Sequence, residues 1–462
     1  MNNNLGSTYD VIVCGGGPSG VAAAIASSRR GAKTLLIERY GFCGGMSTAG
    51  LVNPWSGHEY TDPDTGENGS LIKGIFGEVA LELAGRGGFS SALSPAAFDD
   101  ELLKHVYDQL LIASGVHVRY HTFLKSATLD GDRLSSIEVF SKSGRQVLQA
   151  NNFIDCSGDG DLAALAGVSF SVGRPEDGLT QAMTVSFRMA NVDKEEMIAT
   201  QNLRSARALV EPYFQEALAS GDLHYPYRNF IHFYDYPRPG ILHFNMTRIT
   251  NVSGLSVEDL SKAEIEGRRQ AFVMGDWLVK TVPWFKNAFV EKVACQVGVR
   301  ETRHIHGLYT MTKEDIVSAK KFEDGITRSQ YFIDIHNPKG AKDVHQESGK
   351  RGAIRNDFGP PPGDYYEVPF RCLINNQCPN LATACRALSA THEASAAVRV
   401  MATMHGLGEA AGIAAAEASK TNTNLNSIDG KWVRSQVDYM SELPDFNYPW
   451  NAKVAFSWVD PK

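Results

Sequence analysis

The stretch that decides the fold is YDVIVCGGGPSGVAAAIASSRRGAKTLLIE, residues 9–38. It opens with a short β-branched run at residues 11–13, which is typical of a buried parallel strand. Gly15, Gly17 and Gly20 then occupy the glycine positions of G-x-G-x-x-G. These glycines allow a tight turn, the approach of a diphosphate to the backbone, and close packing of helix on strand. The pattern predicts a strand, a loop and a helix whose N-terminus faces a phosphate group.

The second half of this stretch indicates the kind of nucleotide. Alanine-rich residues 18–30 predict the helix, Gly31 ends it, and residues 34–37 predict a second buried strand. Glu38 closes that strand, where a carboxylate accepts hydrogen bonds from an adenosine ribose. A cofactor with a 2′-phosphate would require an arginine there, so we predict a dinucleotide without one. The motif alone does not distinguish NAD from FAD.

Composition and charge narrow the class of protein. The chain has 462 residues, 43% hydrophobic and 21% charged, enough for a large core in two or three domains. Its net charge of −7 is spread along the chain, which argues against a nucleic-acid partner. No apolar run is long enough for a membrane span and no signal-peptide pattern opens the sequence, so we expect a cytoplasmic protein. The seven cysteines include no C-x-x-C pair, so we expect reduced thiols and no metal site.

Hydrophobic periodicity predicts the organisation of the rest of the chain. The predicted elements are helices at 98–114, 162–166, 257–279 and 398–418, and strands at 116–120, 134–141, 144–150, 152–156, 184–189 and 241–247. Residues 168–370 differ in texture, being rich in aromatic residues, His, Arg and Pro. The fold class predicted is α/β: a Rossmann-like, mostly parallel nucleotide-binding domain at 1–167 and 371–462. An α+β substrate domain is inserted at 168–370.

Several motifs resemble a known family. They are the Gly44-Gly45-Met46 turn, IDCSGDGDLAALAG at 154–167, VGVRETRHIHG at 297–307, IDIH at 333–336, VPFRCL at 368–373 and NLATACRALSATHEA at 380–394. The chain resembles the bacterial FAD-dependent oxidoreductase family of the glutathione-reductase-like superfamily over nearly its whole length. The resemblance implies an FAD-binding α/β domain with a substrate-binding insertion. One departure is Cys385, which stands where the family pattern has a glycine between Ala384 and Arg386.

Together, the nucleotide motif and the resemblance predict the residues that bind FAD. These are Gly15, Gly17, Pro18, Ser19, Gly20, Glu38, Arg39, Gly44, Gly45, Met46, Ser47, Ser157, Gly158, Asp159, Arg386 and Ser389. Cys43 either packs as a small residue, lies near the flavin or carries it covalently. The glycines at 406–412 have the wrong spacing for a second dinucleotide loop and indicate close helix packing or approach to the flavin. No second Rossmann unit is apparent, so we expect no separate NAD(P)H domain.

The predicted catalytic residues are histidines and arginines. His336 and His392 are candidates for the base that removes a proton while a hydride leaves the substrate. Arg300 and Arg303 either bind an anionic substrate or form a structural network with Glu301. Arg371 and Arg386 either hold reduced flavin or substrate, or form ion pairs across the domain boundary. The aromatic segments 224–228 and 232–238 line a polar pocket or pack in the core.

These residues predict an FAD-dependent oxidoreductase that transfers a hydride between a small organic substrate and flavin N5. One alternative is a reductase that takes electrons from an external donor. Another is a flavoprotein whose FAD is structural and whose role is binding. The sequence leaves the substrate and the oligomeric state open.

Overall fold

The computed structural model describes residues 8–61, 68–89, 93–94, 96–223, 230–339 and 358–437. The predicted segment 224–228 therefore lies outside the described residues. The strands are β1 (Thr8–Cys14), β2 (Thr34–Ile37), β3 (Glu59–Thr61), β4 (Asn68–Ser70), β5 (His117–Arg119), β6 (Phe123–Asp130), β7 (Arg133–Ser141), β8 (Gly144–Asp155), β9 (Phe170–Val172), β10 (Phe187–Ala190), β11 (Phe233–Asp235), β12 (Leu242–Phe244), β13 (Phe289–Val293), β14 (Arg303–Ile305), β15 (Gly325–Ser329), β16 (Tyr366–Pro369) and β17 (Leu381–Thr383).

The helices connect and cover these strands. They are α1 (Pro18–Arg29), α2 (Gly74–Gly85), α3 (Asp100–Ala113), α4 (Asp161–Leu165), α5 (Glu195–Ala199), α6 (Leu203–Ser220), α7 (Val257–Thr281), α8 (Lys313–Val317), α9 (His392–Val398), α10 (Met401–Thr421) and α11 (Gly430–Gln436). Short 3₁₀ turns occur at Gly45–Ser47, Pro283–Phe285, Phe370–Cys372 and Leu425–Ser427. No helix of the described ranges is long and apolar enough to cross a membrane.

The central sheet is mainly parallel, which confirms the predicted α/β class. Its strand order is β5-β2-β1-β8-β7-β6, and β17 pairs with the far end of β8. β1 runs parallel to β2 and β8, and β17 runs parallel to β8, while β6, β7 and β8 are antiparallel neighbours. Val11, Ile12 and Val13 are fully buried because helices and strands cover both faces of β1.

β8 differs from its sequence prediction. The predicted strands at 144–150 and 152–156 form one strand, Gly144–Asp155. Its first half completes the antiparallel hairpin with β7, and its second half lies between β1 and β17. The polar residues Asn151 and Asn152 suggested a break, but Asn152 is buried and its amide donates to Ser419 Oγ at 2.9 Å. A tertiary hydrogen bond therefore allows the strand to continue.

Helix α10 packs directly against α1. A Cβ at Gly408 would meet the carbonyl group of Ser19, and a Cβ at Gly412 would meet that of Ala23. Gly408 and Gly412 therefore serve close helix packing, as one of the two sequence interpretations states, whereas Gly406 faces Thr327 of β15. Through this contact the C-terminal part of the chain supports the helix of the N-terminal glycine loop.

A second sheet lies in the inserted region, with strand order β11-β12-β10-β13. Its apolar face packs with α6 and α7 around Phe187, Phe214 and Phe244. Segments near Met311, Ile326 and Tyr366 contribute instead to the core that surrounds α1 and α10. The boundaries at 167/168 and 370/371 stay a prediction.

Candidate functional site

The first glycine loop forms a cradle of backbone at the end of β1. Gly15 has a φ of +104°, a conformation that favours glycine. A Cβ at Gly20 would overlap the carbonyl oxygen of Gly15, whereas a Cβ at Gly17 would meet nothing within 4 Å. Pro18 opens α1, and Gly17 supplies no side-chain cap to the helix N-terminus. The space beside Gly17 is therefore open and faces the donor end of a helix, as a diphosphate requires.

The carboxylate of Glu38 lies against this cradle. Glu38 is buried; its Oε2 accepts a hydrogen bond from Gly16 N at 2.6 Å and its Oε1 accepts one from Tyr40 N at 2.9 Å. Two backbone donors thus hold the carboxylate at the position predicted for a ribose contact. Arg39 points elsewhere, since its Nη2 donates to Gln296 Oε1 at 2.8 Å.

The second glycine loop lies beside the first. Gly44 and Gly45 have φ values of +116° and +49°, and Gly44 N donates to Gly16 O at 2.7 Å. The turn Gly45–Ser47 follows, with Met46 inside it, and Ser47 Oγ lies 2.9 Å from Met401 Sδ. The structure therefore brings this loop next to the diphosphate cradle and to the start of α10.

Cys43 precedes this loop and is fully buried. Burial raises the pKa of its thiol far above the usual value, which disfavours the thiolate needed for a covalent bond. The interpretation of Cys43 as a packed small residue fits these observations best.

The loop after β8 forms a third part of the site. Asp159 Oδ1 accepts hydrogen bonds from Arg386 Nη2 at 2.6 Å and from Thr302 Oγ1 at 2.7 Å. Gly158 has a φ of +92°, and a Cβ there would press on the guanidinium of Arg386. Nearby, Ser157 Oγ donates to Asp155 Oδ1 at 2.7 Å. Burial raises the pKa of Asp155 to about 6, although hydrogen bonds from the backbone of Ala163 and from Ser157 oppose that shift.

The segment after β17 completes this part of the site. Arg386 Nε is buried and has no hydrogen-bond partner in the described parts of the chain. Ser389 is buried, and its Oγ lies 3.0 Å from Thr310 Oγ1. Cys385 is also buried and packs in the apolar cluster that includes Ile12 and Phe153, so the departure from the family glycine is accommodated in the core. Burial raises the pKa of its thiol to about 12.

These residues fit an FAD molecule. The open space at Gly17 suits a diphosphate, the paired glycine loops leave room for a close approach, and Arg386 has an unused donor. The predicted cofactor residues of the three loops are thus brought together. Arg39 and Ser389 lie at the edge of this group, because their recorded contacts are with Gln296 and Thr310.

A buried carboxylate, Glu301, joins two histidines next to this site. Its Oε1 accepts hydrogen bonds from His392 Nδ1 at 2.6 Å and from His304 Nε2 at 2.8 Å. Its Oε2 accepts one from Gln181 N at 2.9 Å. Burial alone would raise the pKa of Glu301, but the hydrogen bonds from the two histidines lower it to about 2. Glu301 is therefore ionised and orients both rings.

A second polar group surrounds His336. Arg248 Nη2 donates to His336 Nδ1 at 3.0 Å, and His336 Nε2 lies 3.4 Å from Asp334 Oδ2. An acceptor at Nδ1 means that this imidazole is neutral and carries its proton on Nε2. Arg399 Nη2 donates to Asp334 O at 3.1 Å and to Gln181 Oε1 at 3.4 Å. We call Gln181, Arg248, Asp334, His336 and Arg399 the junction cluster.

The predicted arginines lie apart from Glu301. Arg303 Nη1 donates to Asp159 O and to Asp161 Oδ1, both at 2.9 Å, and the Arg300 guanidinium donates to Ala182 O. Arg371 pairs with Asp324 at 2.9 Å. The suggested network between Glu301 and the arginines is therefore wrong, because the two histidines occupy its carboxylate. The structure brings His336 and His392 into neighbouring groups that share Gln181.

Sequence reasoning missed Gln181, Arg248 and Arg399. Gln181 stands in no motif, and Arg248 lies in an ordinary strand-like run. Arg399 lies in the segment Val398-Arg399-Val400-Met401, which follows the family motif at 380–394, and its place directly before α10 was the available signal. In the segment 232–238, His232 Nε2 lies 2.8 Å from Tyr234 Oη, and Arg238 Nε donates to Asp99 Oδ2 at 2.8 Å.

The fold and the three loops define a dinucleotide-binding flavoprotein. The family described as FAD dependent oxidoreductase matches residues 10–437, and the chain belongs to this family. The predicted family, FAD as the cofactor and the enzyme class are thereby confirmed.

The solved structures that match this chain include two that cover 93% of it. A geranylgeranyl bacteriochlorophyll reductase-like protein from Thermoplasma acidophilum is 12% identical, with 93% of this chain and 91% of that chain covered and a TM-score of 0.42. The flavin-dependent brominase Bmp2 is 10% identical, with 93% and 83% covered and a TM-score of 0.44. Similarity at this level supports no conclusion about activity. A search of curated proteins found no match.

Proposed function

We propose that this enzyme oxidises a small organic substrate and that His392 is the base. Oxidation of an alcohol or amine carbon breaks a C–H bond and an O–H or N–H bond. When bound, FAD supplies the two-electron acceptor, N5 of its ring, for the hydride. His392 Nε2 takes the proton, so that atoms and electrons balance.

The observation that carries this proposal is the hydrogen bond from His392 Nδ1 to Glu301 at 2.6 Å. It fixes the tautomer, because a ring that donates from Nδ1 has its lone pair on Nε2. It is also the one hydrogen bond recorded for this ring within the described ranges, so Nε2 is available to a substrate. The ionised Glu301 then stabilises the imidazolium formed when Nε2 accepts a proton.

His336 suits this role less well. Arg248 donates to its Nδ1 and Asp334 faces its Nε2, so both ring nitrogens are engaged. The sequence neighbours of His392 also favour it as the base. Along the chain it lies between Arg386, which binds Asp159, and Met401, which contacts Ser47. His392 is therefore flanked by residues that contact predicted cofactor loops.

We propose that the three loops hold the cofactor as the sequence predicts. Gly15, Gly17 and Gly20 with Pro18 and Ser19 would hold the diphosphate, and Glu38 the ribose. Gly44–Ser47 and the group of Ser157, Gly158, Asp159 and Arg386 would hold the remainder. The open space at Gly17, the close approach of Gly45 to Gly17 and that of Gly15 to Ser157 support this assignment.

The test is anaerobic reduction of the FAD-loaded protein by a panel of alcohols, amines and their acids, followed by flavin bleaching. His392→Gln should slow reduction by the active substrate by about 10²–10⁴-fold while flavin content stays unchanged. His306→Gln is a matched control. His306 is exposed, directly follows β14, and is not among the residues that donate hydrogen bonds to Glu301. It should leave the rate unchanged.

Other results would favour other functions. Bleaching by NAD(P)H but by no organic substrate would favour the reductase. Stable FAD that no donor reduces would favour a structural flavin. Wild-type rates in His392→Gln would remove His392 as the base.

A further inference from the structure

Two buried donors in the junction cluster bond to none of the residues that the structure describes. Gln181 Nε2 and Arg399 Nε are both buried, and neither has a hydrogen-bond partner in the part of the chain that the structure describes. We propose that these donors bind the carboxylate of a small organic acid, which makes the substrate of this enzyme an anion. The proposal rests on the proposed function, because it names the substrate class of that site.

The orientation of the Gln181 amide is fixed by its neighbours. Its Oε1 faces two donors, the backbone N–H of His336 at 3.4 Å and Nη2 of Arg399 at 3.4 Å. Exchanging the oxygen and nitrogen of the amide would place a donor against both. Nε2 must therefore point to the remaining side, where no described residue accepts its hydrogens. Gln181 is only 1% exposed, so bulk solvent does not reach this amide, and the proposed carboxylate would supply its acceptor.

Arg399 adds charge and geometry to this site. Its Nη2 is engaged by Asp334 and Gln181, whereas its Nε is unused. Nη2 already donates two hydrogen bonds, so the donor left for a ligand is Nε, which is buried. A hydrogen bond from a guanidinium N–H to a carboxylate oxygen is charge-assisted, and therefore stronger than one to a neutral acceptor.

The surroundings favour an anion over a neutral or cationic group. Arg248 is buried beside His336, and its donation to Nδ1 keeps that imidazole from offering a free lone pair. The unused groups on Gln181 and Arg399 are both donors, whereas a cation would need acceptors. The junction cluster contains two guanidinium groups and one carboxylate, that of Asp334, whose Oδ2 lies 3.8 Å from Arg399 Nη2. A neutral amide would bring an acceptor to the cluster but no second negative charge.

Gln181 also connects this site to the proposed base. Its backbone N–H donates to Glu301, whose other oxygen holds His392, while its side chain meets Arg399. A carboxylate bound at Arg399 would therefore be separated from the Glu301–His392 pair by a single residue, Gln181, which contacts both. This arrangement suits a short acid whose oxidised carbon lies close to its carboxylate.

The experiment uses the FAD-loaded protein at constant ionic strength. Acetate and propionate are titrated against their uncharged isosteres acetamide and propionamide, with inorganic phosphate as a further anion. Binding is followed by the change in the flavin spectrum and by the thermal midpoint. The variants are Arg399→Gln, Arg399→Lys and Gln181→Met, and the matched control is Arg145→Gln, which removes one charge from a side chain that is 70% exposed.

We expect the carboxylates to bind at least about tenfold more tightly than the amides. Arg399→Gln should weaken carboxylate binding by about tenfold or more, because it removes a charged hydrogen-bond donor. Arg399→Lys should recover only part of this loss, and Arg145→Gln should change nothing. Gln181→Met should weaken binding less than Arg399→Gln does.

Equal binding of acids and amides by the wild-type protein overturns the proposal, and this comparison needs no variant to fold. Tighter binding of phosphate than of the acids, or unchanged binding in Arg399→Gln, overturns it as well. The proposed function fails separately. If carboxylates bind through Arg399 but no substrate bleaches the flavin, the oxidation is wrong and the carboxylate site stands. If an uncharged substrate bleaches it independently of Arg399, the reverse holds.

Discussion

The cofactor cradle and the junction cluster are built from different parts of the chain. In the cradle, backbone atoms of Gly15, Gly17 and Gly20 form the surface, and the residues are close in sequence. In the junction cluster, side chains from Gln181, Arg248, His336 and Arg399 meet across more than two hundred residues of chain. A site formed by backbone atoms can therefore be predicted from a local sequence pattern, whereas a site formed by side chains depends on the tertiary fold.

The largest expected effect comes from the cradle. Gly20→Ala places a Cβ on the carbonyl oxygen of Gly15, so both the fold and flavin binding should fail. Gly17→Ala places its methyl group in open space, so the flavin-free protein should keep its thermal midpoint while flavin content falls more than about tenfold. The flavin-to-protein ratio and the thermal midpoint of each variant measure this. Full flavin content in Gly17→Ala would contradict a diphosphate at that position.

The next largest effect concerns a side-chain site, the Glu301 carboxylate beside the junction cluster, and the pH dependence of the free energy of unfolding. Its pKa in the folded protein is about 2, below the ordinary 4.5, so its stabilising effect is complete above pH 4.5. The effect is lost as the pH falls from about 4.5 to about 2, and amounts to about 3 kcal/mol. Urea unfolding should show a gap between wild type and Glu301→Gln that narrows over this range.

A control for this pH effect is Glu216→Gln, which removes an exposed carboxylate from α6. Its unfolding free energy should follow that of the wild type at each pH. A gap between wild type and Glu301→Gln that is independent of pH would mean that the two histidines do not depress the pKa of Glu301.

Packing of α10 on α1 supports the cradle from behind. Gly412→Ala would press a Cβ on the carbonyl of Ala23, and we expect a loss of about 1–3 kcal/mol in the free energy of unfolding. Gly85→Ala is a control at the end of α2, where a Cβ would meet nothing within 4 Å. It should be neutral or stabilise by up to about 1 kcal/mol. Denaturant unfolding measures both variants. If Gly412→Ala and Gly85→Ala change the free energy of unfolding equally, the packing of α10 on α1 does not stabilise the protein.

The smallest effect separates burial from ion pairing. Arg29 and Glu78 form an ion pair between α1 and α2 at 2.7 Å, with side chains 39% and 36% exposed. Glu78→Gln should cost no more than about 1 kcal/mol, because water screens exposed charges. A loss as large as that of Glu301→Gln, measured at neutral pH, would show that burial is not what distinguishes the Glu301 carboxylate from an exposed one.

The same contrast explains what the sequence could predict. Residues 9–38 predicted α1 and β2 to within one residue and the central part of β1, because each step depends on neighbours in the chain. The continuation of β8 through Asn152 was missed, since its amide is satisfied by Ser419 on a distant helix. One of two alternatives paired Glu301 with the arginines beside it in sequence, but the fold places His392 against it. Local pattern does not contain such pairings.

The contact between α1 and α10 also bears on how the protein is made. Ser19 and Gly408 touch, although about four hundred residues separate them, and β17 joins β8 only after the whole inserted region has been synthesised. Closing so long a loop is entropically costly and delays folding. The nucleotide-binding half of the nascent chain therefore stays incomplete until α10 has left the ribosome. We expect flavin incorporation to follow the synthesis of α10 rather than to accompany that of the N-terminal glycine loop.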